Sequence, residues 1–348
     1  MNFGIFNEIP MHDGITSERA FSGAFEVFHA AEELGIDTIW LGENHFTNEW
    51  SLCSSPLSIA AALAASTRRI RIGTAVSVLP IANPLQLLEQ AGTVDQLSAG
   101  RLEFGVGRSG VALPYRTHRQ PYTESRGRFL ETLEIISRAW TEERFTFHGD
   151  YYHYDDVLVM PAPYQSPHPP IYIAASSPES FDLAGRLGHA VLMEARGRQA
   201  QVRDNLATYR KARADAGHVD PEKIFLRLAV YVAETEQKAI SDPEYSTMIY
   251  YKRDSALIAD PLEGLDNKAL EARAERSKVL AEMTYQQVLA NDVVYGTPTM
   301  VFEKIEQIRD DLGISGLVMD VNCGGRMSSE QTIGSMRLFC DHVIPRFR

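Results

Sequence analysis

Eight short apolar, β-branched runs alternate with longer segments of helical period, and this alternation leaves the chain few architectures. The runs cover residues 2–6, 37–41, 70–78, 101–106, 170–174, 190–193, 224–232 and 314–321. Helical spacing of apolar residues covers 18–34, 56–66, 84–97, 124–141, 178–187, 198–216, 298–312 and 328–344. Gly35, Gly100, Gly188, Gly217 and Gly313 follow helical segments, where a left-handed residue ends a helix. Eight strands, each followed by a helix, is the count for a closed parallel (β/α)8 TIM barrel. An open doubly wound sheet is the alternative, because strand order is invisible in one sequence. Length alone suggests two domains, but a barrel with insertions makes residues 1–348 a single domain.

Two segments break the alternation. Residues 145–160 are rich in tyrosine and contain Gly149-Asp150, which predicts a β-hairpin inserted before the fifth strand. Its aromatics read as packing or interface residues. Residues 234–297 form a long connection after the seventh strand, the usual mark of a lid or mobile insertion.

Composition narrows the partners. A formal net charge of -12, with no basic run longer than Arg68-Arg69, disfavours nucleic acid and anionic membranes. Cys53, Cys323 and Cys340 have no metal or disulfide spacing and read as reduced thiols. Strand-like sequence from residue 2 leaves no room for a signal peptide, and the apolar run 57–65 is too short to span a bilayer. A cytoplasmic protein is expected.

Polar groups cluster where strands end, the rim at which parallel barrels carry out chemistry. The second strand runs directly into Glu43-Asn44-His45; the bland reading is a Glu43–His45 pair or a helix cap. Gly105, Gly107 and Gly110 match GxGxxG, but Pro114 follows and the next helical pattern starts near Glu124, so a dinucleotide loop is disfavoured. A tight backbone that aims Arg108 into the mouth fits better. After the fifth strand, Ser176 with Glu179 reads as a capping box, with Pro178 in the first turn. A helix start with adjacent hydroxyls is also an anion site, and Arg108 and Arg126 are placed to approach it. Phe6, Trp50, Tyr115, Met193, Glu194 and Tyr231 are candidates for a substrate pocket or for ordinary packing. Glu194 would bind a polar substrate or pair with Arg196 or Arg198.

These residues carry a resemblance over nearly the whole chain. Met1–Gly4, Gly35-Ile36-Asp37-Thr38-Ile39-Trp40-Leu41, Glu43-Asn44-His45-Phe46-Thr47, residues 73–80, Asp95-Gln96-Leu97-Ser98-Ala99-Gly100-Arg101 and residues 104–108 resemble bacterial luciferase-like flavin monooxygenases, luciferase α-subunits and alkanal monooxygenases in particular. The resemblance implies a (β/α)8 barrel that uses reduced FMN and O2 through a C4a-peroxide, with NAD(P)H:flavin reductase as the FMNH2 supplier. It places the flavin phosphate on Arg108, Arg126, Ser176, Ser177 and Ser180, a non-proline cis peptide at Ala75-Val76, and a mobile lid at 234–297. Such a lid suits a flavin peroxide that must be kept from water.

Three positions depart from the family pattern. Asn44 stands where luciferases have their catalytic histidine, and an amide cannot replace a general base worth about 10²–10⁴-fold. Light emission is therefore not expected, and His45, oriented by Glu43, becomes the candidate for proton transfer. Gly107 replaces a reactive cysteine, and Ser176 replaces a glutamate near the phosphate. A deazaflavin-dependent oxidoreductase and a non-catalytic flavin-binding subunit are the competing readings. Family members dimerise through the second and third helices, and the alanines at 60–62 and 64–65 would permit close helix packing in a homodimer.

Overall fold

The computed structural model describes all residues except 48–49 and 195–198. Its barrel strands are Asn2–Asn7, Thr38–Leu41, Arg71–Thr74, Leu102–Gly107, Ile171–Ala174, Ala190–Glu194, Ile224–Val232 and Gly316–Asp320. All pair in parallel in chain order. The eighth returns to the first, with Leu317 opposite Phe3, and the ring is closed. An open sheet would leave those two edges unpaired, so closure excludes it. A cis peptide joins Ala75 to Val76, after which Ser77–Val78 pairs with the fourth strand.

Aromatic residues fill the barrel interior: Phe6, Trp40, Tyr172 and Phe225, with Leu192 and Val318. Trp40 is fully buried, and glycines of the flanking strands make its space. A Cβ on Gly73 would lie 2.3 Å from the indole, and one on Gly4 2.6 Å. The GxGxxG match has the same explanation. A Cβ on Gly105 would meet the Thr74 carbonyl at 1.9 Å, and one on Gly107 the Val76 side chain at 2.5 Å. These glycines let adjacent strands approach; they do not cradle a pyrophosphate.

The eight expected helices are present as Ser17–Glu33, Pro56–Ser66, Pro84–Ser98, Ser125–Thr141, Pro178–Leu187, Gln199–Asp215, Pro298–Leu312 and Ser329–His342. One more, Ala112–His118, forms where Pro114 was read as an interruption. A proline in a first turn costs nothing, because its missing N–H would have had no intrahelical partner. The hairpin before the fifth strand is also present, as Phe145–His148 against His153–Val157. Its tip is held by Glu131, whose carboxylate accepts from the N–H groups of Asp150, Tyr151 and Tyr152. Phe145 and Phe147 are buried, so these aromatics are packing residues.

The long connection is not irregular. It folds as Glu236–Ser241, Glu244–Ala259, Asn267–Glu282 and Tyr285–Asn291, then the strand Val293–Gly296 beside the upper half of the seventh strand. Several contacts seat it on the barrel mouth. Arg116 pairs with Asp260 through two bonds of 2.8 and 3.0 Å, and Gly264 lies against Thr123. Cys53, Cys323 and Cys340 are buried, and none of them is in a disulfide. Among the described residues, no helix is long and apolar enough to cross a membrane.

At the opposite end of the barrel, burial lowers the His189 pKa to about 4, helped by His168 and His218. Between that value and the ordinary 6.5 the unfolded chain binds the extra proton. His189 therefore stabilises the fold fully above pH 6.5 and loses that contribution as pH falls toward 4, by at most about 3 kcal/mol. His189→Gln is expected to flatten the denaturation midpoint between pH 6.5 and 4; an unchanged slope would assign the acid sensitivity elsewhere.

Candidate active site

Strand ends bring the polar groups to one rim. Glu43 and His45 meet, with His45 Nε2 2.8 Å from Glu43 Oε1 and both side chains mostly buried. The other Glu43 oxygen accepts from the Val78 N–H at 3.1 Å, so the third-strand turn fixes the carboxylate that orients the imidazole. His45 also meets His118 edge-on, with ring centroids 5.8 Å apart. Asn44 turns away from this pair. Its Nδ2 donates to Glu8 Oε2 at 3.1 Å.

Glu8, the residue after the first strand, is a hub that the sequence reading missed. Its Oε1 accepts from Trp50 Nε1 at 2.5 Å and from Arg253 Nη2 at 2.9 Å. Arg253 comes from the insertion helix Glu244–Ala259 and lies 3.9 Å over the Trp50 ring. Trp50, a pocket candidate, is thus part of the seam between insertion and barrel.

A cavity of about 500 Å³ opens at the mouth over Ala75 and Val76. Its wall carries Arg108, Ser176, Ser177, Ser180, Met193 and Glu194. A second cavity of about 390 Å³ shares Arg108, Ser177 and Ser180 and adds Arg126. Every residue expected at a phosphate is therefore at one place. Among the described residues, neither the Arg108 nor the Arg126 guanidinium donates to a protein acceptor; Arg108 lies only over the Tyr122 ring, 6.0 Å away.

The helix start differs from the expected cap by one residue. The N-cap is Ser177 with Ser180, not Ser176 with Glu179. Ser180 Oγ accepts from the N–H groups of Ser176 and Ser177, each at 3.0 Å. Glu179 bends back instead: its own N–H and the Ser177 hydroxyl, then Arg126 and Arg108, hold its carboxyl below the usual range. An anionic group is thus already favoured at this turn. The residues present fit a phosphate monoester, with the arginines and the serine hydroxyls of this turn as its ligands.

Glu43 and His45 line a smaller neighbouring cavity of about 150 Å³, with Ser77 and His118. The peptide from Ala75 to Ser77 separates the two spaces, Ala75 and Val76 facing one and Ser77 the other. Ser77 is buried, and its hydroxyl has no hydrogen-bond partner among the described residues.

The remaining candidates divide. Glu194 pairs with Arg227 at 2.6 Å; Arg196 and Arg198 lie outside the described residues. Arg227 also meets Asp320 at 2.7 Å and lies 3.6 Å over the Phe6 ring, so Phe6 supports the cavity floor without lining it. Tyr115 is buried off the cavity and donates to the Arg108 carbonyl, which fixes the Arg108 loop. Tyr231 donates to Asp242 at 3.2 Å and packs beneath the insertion. Arg227 had a signal in sequence, as the one charge in the otherwise apolar Ile224–Val232. Among the described residues, no group of histidine, cysteine or carboxylate side chains is placed to hold a metal.

Known proteins share the family and the fold of this chain. Residues 1–316 match the family model described as luciferase-like monooxygenase. The chain is 28% identical over 330 residues to the alkanal monooxygenase alpha chain of Photorhabdus luminescens, covering 90% of this chain and 89% of that one. It is 24% identical over 353 residues to the oxygenase component of the flavin-dependent trigonelline monooxygenase of Acinetobacter baylyi, covering 100% and 96%. Among solved structures, monooxygenase RslO1 from Streptomyces bottropensis superposes with a TM-score of 0.83 at 28% identity, each chain covered fully.

Proposed function

Because this chain belongs to the luciferase-like monooxygenase family, we propose that it is the oxygenase component of a two-component system. It takes reduced FMN from a separate flavin reductase and uses O2 to oxygenate a small organic substrate, without emitting light. One observation carries the choice of FMN: Arg108 at the wall of the large cavity and Arg126 at the adjoining one flank the same serine-bearing helix start, and among the described residues neither guanidinium has a protein acceptor. A terminal phosphate monoester is the ligand that such a set satisfies.

Bound reduced flavin would supply the electrons that activate O2, with one oxygen atom entering the substrate and the other leaving as water. The chain's own residues supply the rest. Arg108, Arg126, Ser176 and Ser177 hold the phosphate, while Ser180 keeps the turn in shape. Ala75 and Val76 form the wall against which a flat ring system lies. Glu43 holds the His45 imidazole by one nitrogen, so the other can take or return a proton beside that wall. The four-helix insertion roofs the cavity and excludes water. Asn44 is committed to Glu8 as a donor and is a positioning residue here.

The alanines of the second helix support a homodimer only in part. Ala60 and Ala64 are buried against the barrel, while Ala62 and Ala65 face outward for a second copy.

The test is an anaerobic absorbance titration of the free protein with FMN and with a deazaflavin, followed by oxygen uptake with a flavin reductase and NAD(P)H. FMN is expected to bind in preference. Oxygen uptake and oxygenation, tested on a substrate panel, are expected to require the reductase. Preference for the deazaflavin, or oxygen uptake with no product across a broad panel, would overturn this reading.

A further inference from the structure

We infer that the organic substrate of this cavity carries a carboxylate, held by Arg273 of the insertion. The inference rests on the flavin reading of the same cavity and adds the substrate class. Four arginines line the wall: Arg108, Arg227, Arg273 and Arg276. Their duties differ. Arg108 sits with the phosphate ligands. Arg227 is neutralised between Glu194 and Asp320, at 2.6 and 2.7 Å. Arg273 has no such partner among the described residues. Its Nη2 donates only to the Asp260 carbonyl, at 3.2 Å, and its Nε is buried without an acceptor. The Asp260 carboxylate is already held in two bonds by Arg116.

The position of Arg273 is defined by the barrel. Its Nη1 lies 3.7 Å from where a Cβ on Gly110 would stand, so the guanidinium roofs the loop that follows Arg108. Arg276, three residues along the same helix and on the same face, lines the cavity beside it. A partly buried cation without a counter-charge is costly, and a ligand carboxylate can meet a guanidinium in a planar two-bond geometry. The chain as a whole carries -12, so this cationic roof runs against its charge balance and concentrates anions at one spot. Leu192, Met193 and Val318 on the same wall offer an apolar surface to the body of such a molecule. A small carboxylate with an apolar ring or short chain satisfies both surfaces.

The test uses benzoate and benzamide as matched probes, in calorimetric titrations of the full chain with and without FMN. The unmodified protein is expected to bind benzoate at least about tenfold more tightly than benzamide, the difference expected for one charge-assisted pair. Arg273→Gln should bring that ratio to about one while FMN affinity changes less than about threefold; Arg273→Lys should keep part of the preference. A ratio near one in the unmodified protein would overturn the inference. So would an Arg273→Gln variant that loses FMN affinity and keeps the benzoate preference, because Arg273 would then belong to the phosphate. If FMN fails to bind but the preference persists in the flavin-free protein, the flavin reading falls and the carboxylate site stands.

Discussion

Replacing both Arg108 and Arg126 by glutamine is expected to weaken FMN binding about 10²–10⁴-fold, since hydrogen bonds to charged groups are worth roughly 1.5–3 kcal/mol each. Riboflavin, which has the same ring system and no phosphate, should bind both proteins within about threefold. The argument is electrostatic and local. Neither guanidinium has a protein acceptor among the described residues, so neither substitution breaks an internal ion pair. Both side chains are exposed enough for salt to screen them, which places the effect nearer the lower figure at physiological ionic strength. Glu179 opposes the phosphate at the same turn, so the arginines must outweigh it. Paired fluorescence titrations with FMN and riboflavin decide the matter. Equal losses for both ligands would point to a collapsed cavity, and no loss for FMN would place the phosphate elsewhere.

Much of this molecule is legible in its residues, for reasons that also explain the gaps. The barrel strands are buried on both sides, so each reads as an apolar run, and eight of them with intervening helices favour a closed barrel; the pairing of the eighth strand with the first is what excludes an open sheet. The expected phosphate cluster comes partly from the helix start after the fifth strand and partly from the family resemblance, and the structure brings Arg108, Arg126, Ser176, Ser177 and Ser180 to two adjoining cavities. Cap detail was harder, since Ser176-Ser177-Pro178-Glu179-Ser180 offers two overlapping boxes and only the backbone chooses between them. Ala112–His118 was hidden by Pro114, which breaks a helix interior but not a first turn. The strand Val293–Gly296 is too short to show a period. The seam of Glu8, Asn44, Trp50 and Arg253 joins residues up to 245 positions apart, and no local pattern encodes such a meeting. Arg227 is different: a lone cation in an apolar strand requires a buried partner, and Glu194 was already in view at the end of the preceding strand, which pairs with it.

His45→Ala is expected to lower oxygenated product formation about 10²–10⁴-fold, the ordinary contribution of a positioned acid–base group, with FMN affinity unchanged. The imidazole is held at one nitrogen by Glu43, which is itself fixed by the Val78 N–H. Orientation and protonation site are thereby set before any ligand arrives, and the second nitrogen remains for chemistry. With Asn44 turned to Glu8, no other imidazole follows the second strand. His118 meets His45 from the exposed side, and a proton passing between solvent and the Glu43–His45 pair would use it. The variant removes no ion pair in the phosphate region, so flavin binding serves as the internal control. Product yield per oxygen consumed is the informative readout: with His45 gone, oxygen uptake should continue while its electrons are lost to hydrogen peroxide. Turnover and yield both unchanged would remove His45 from the mechanism and return the Glu43–His45 pair to a structural role at the barrel rim.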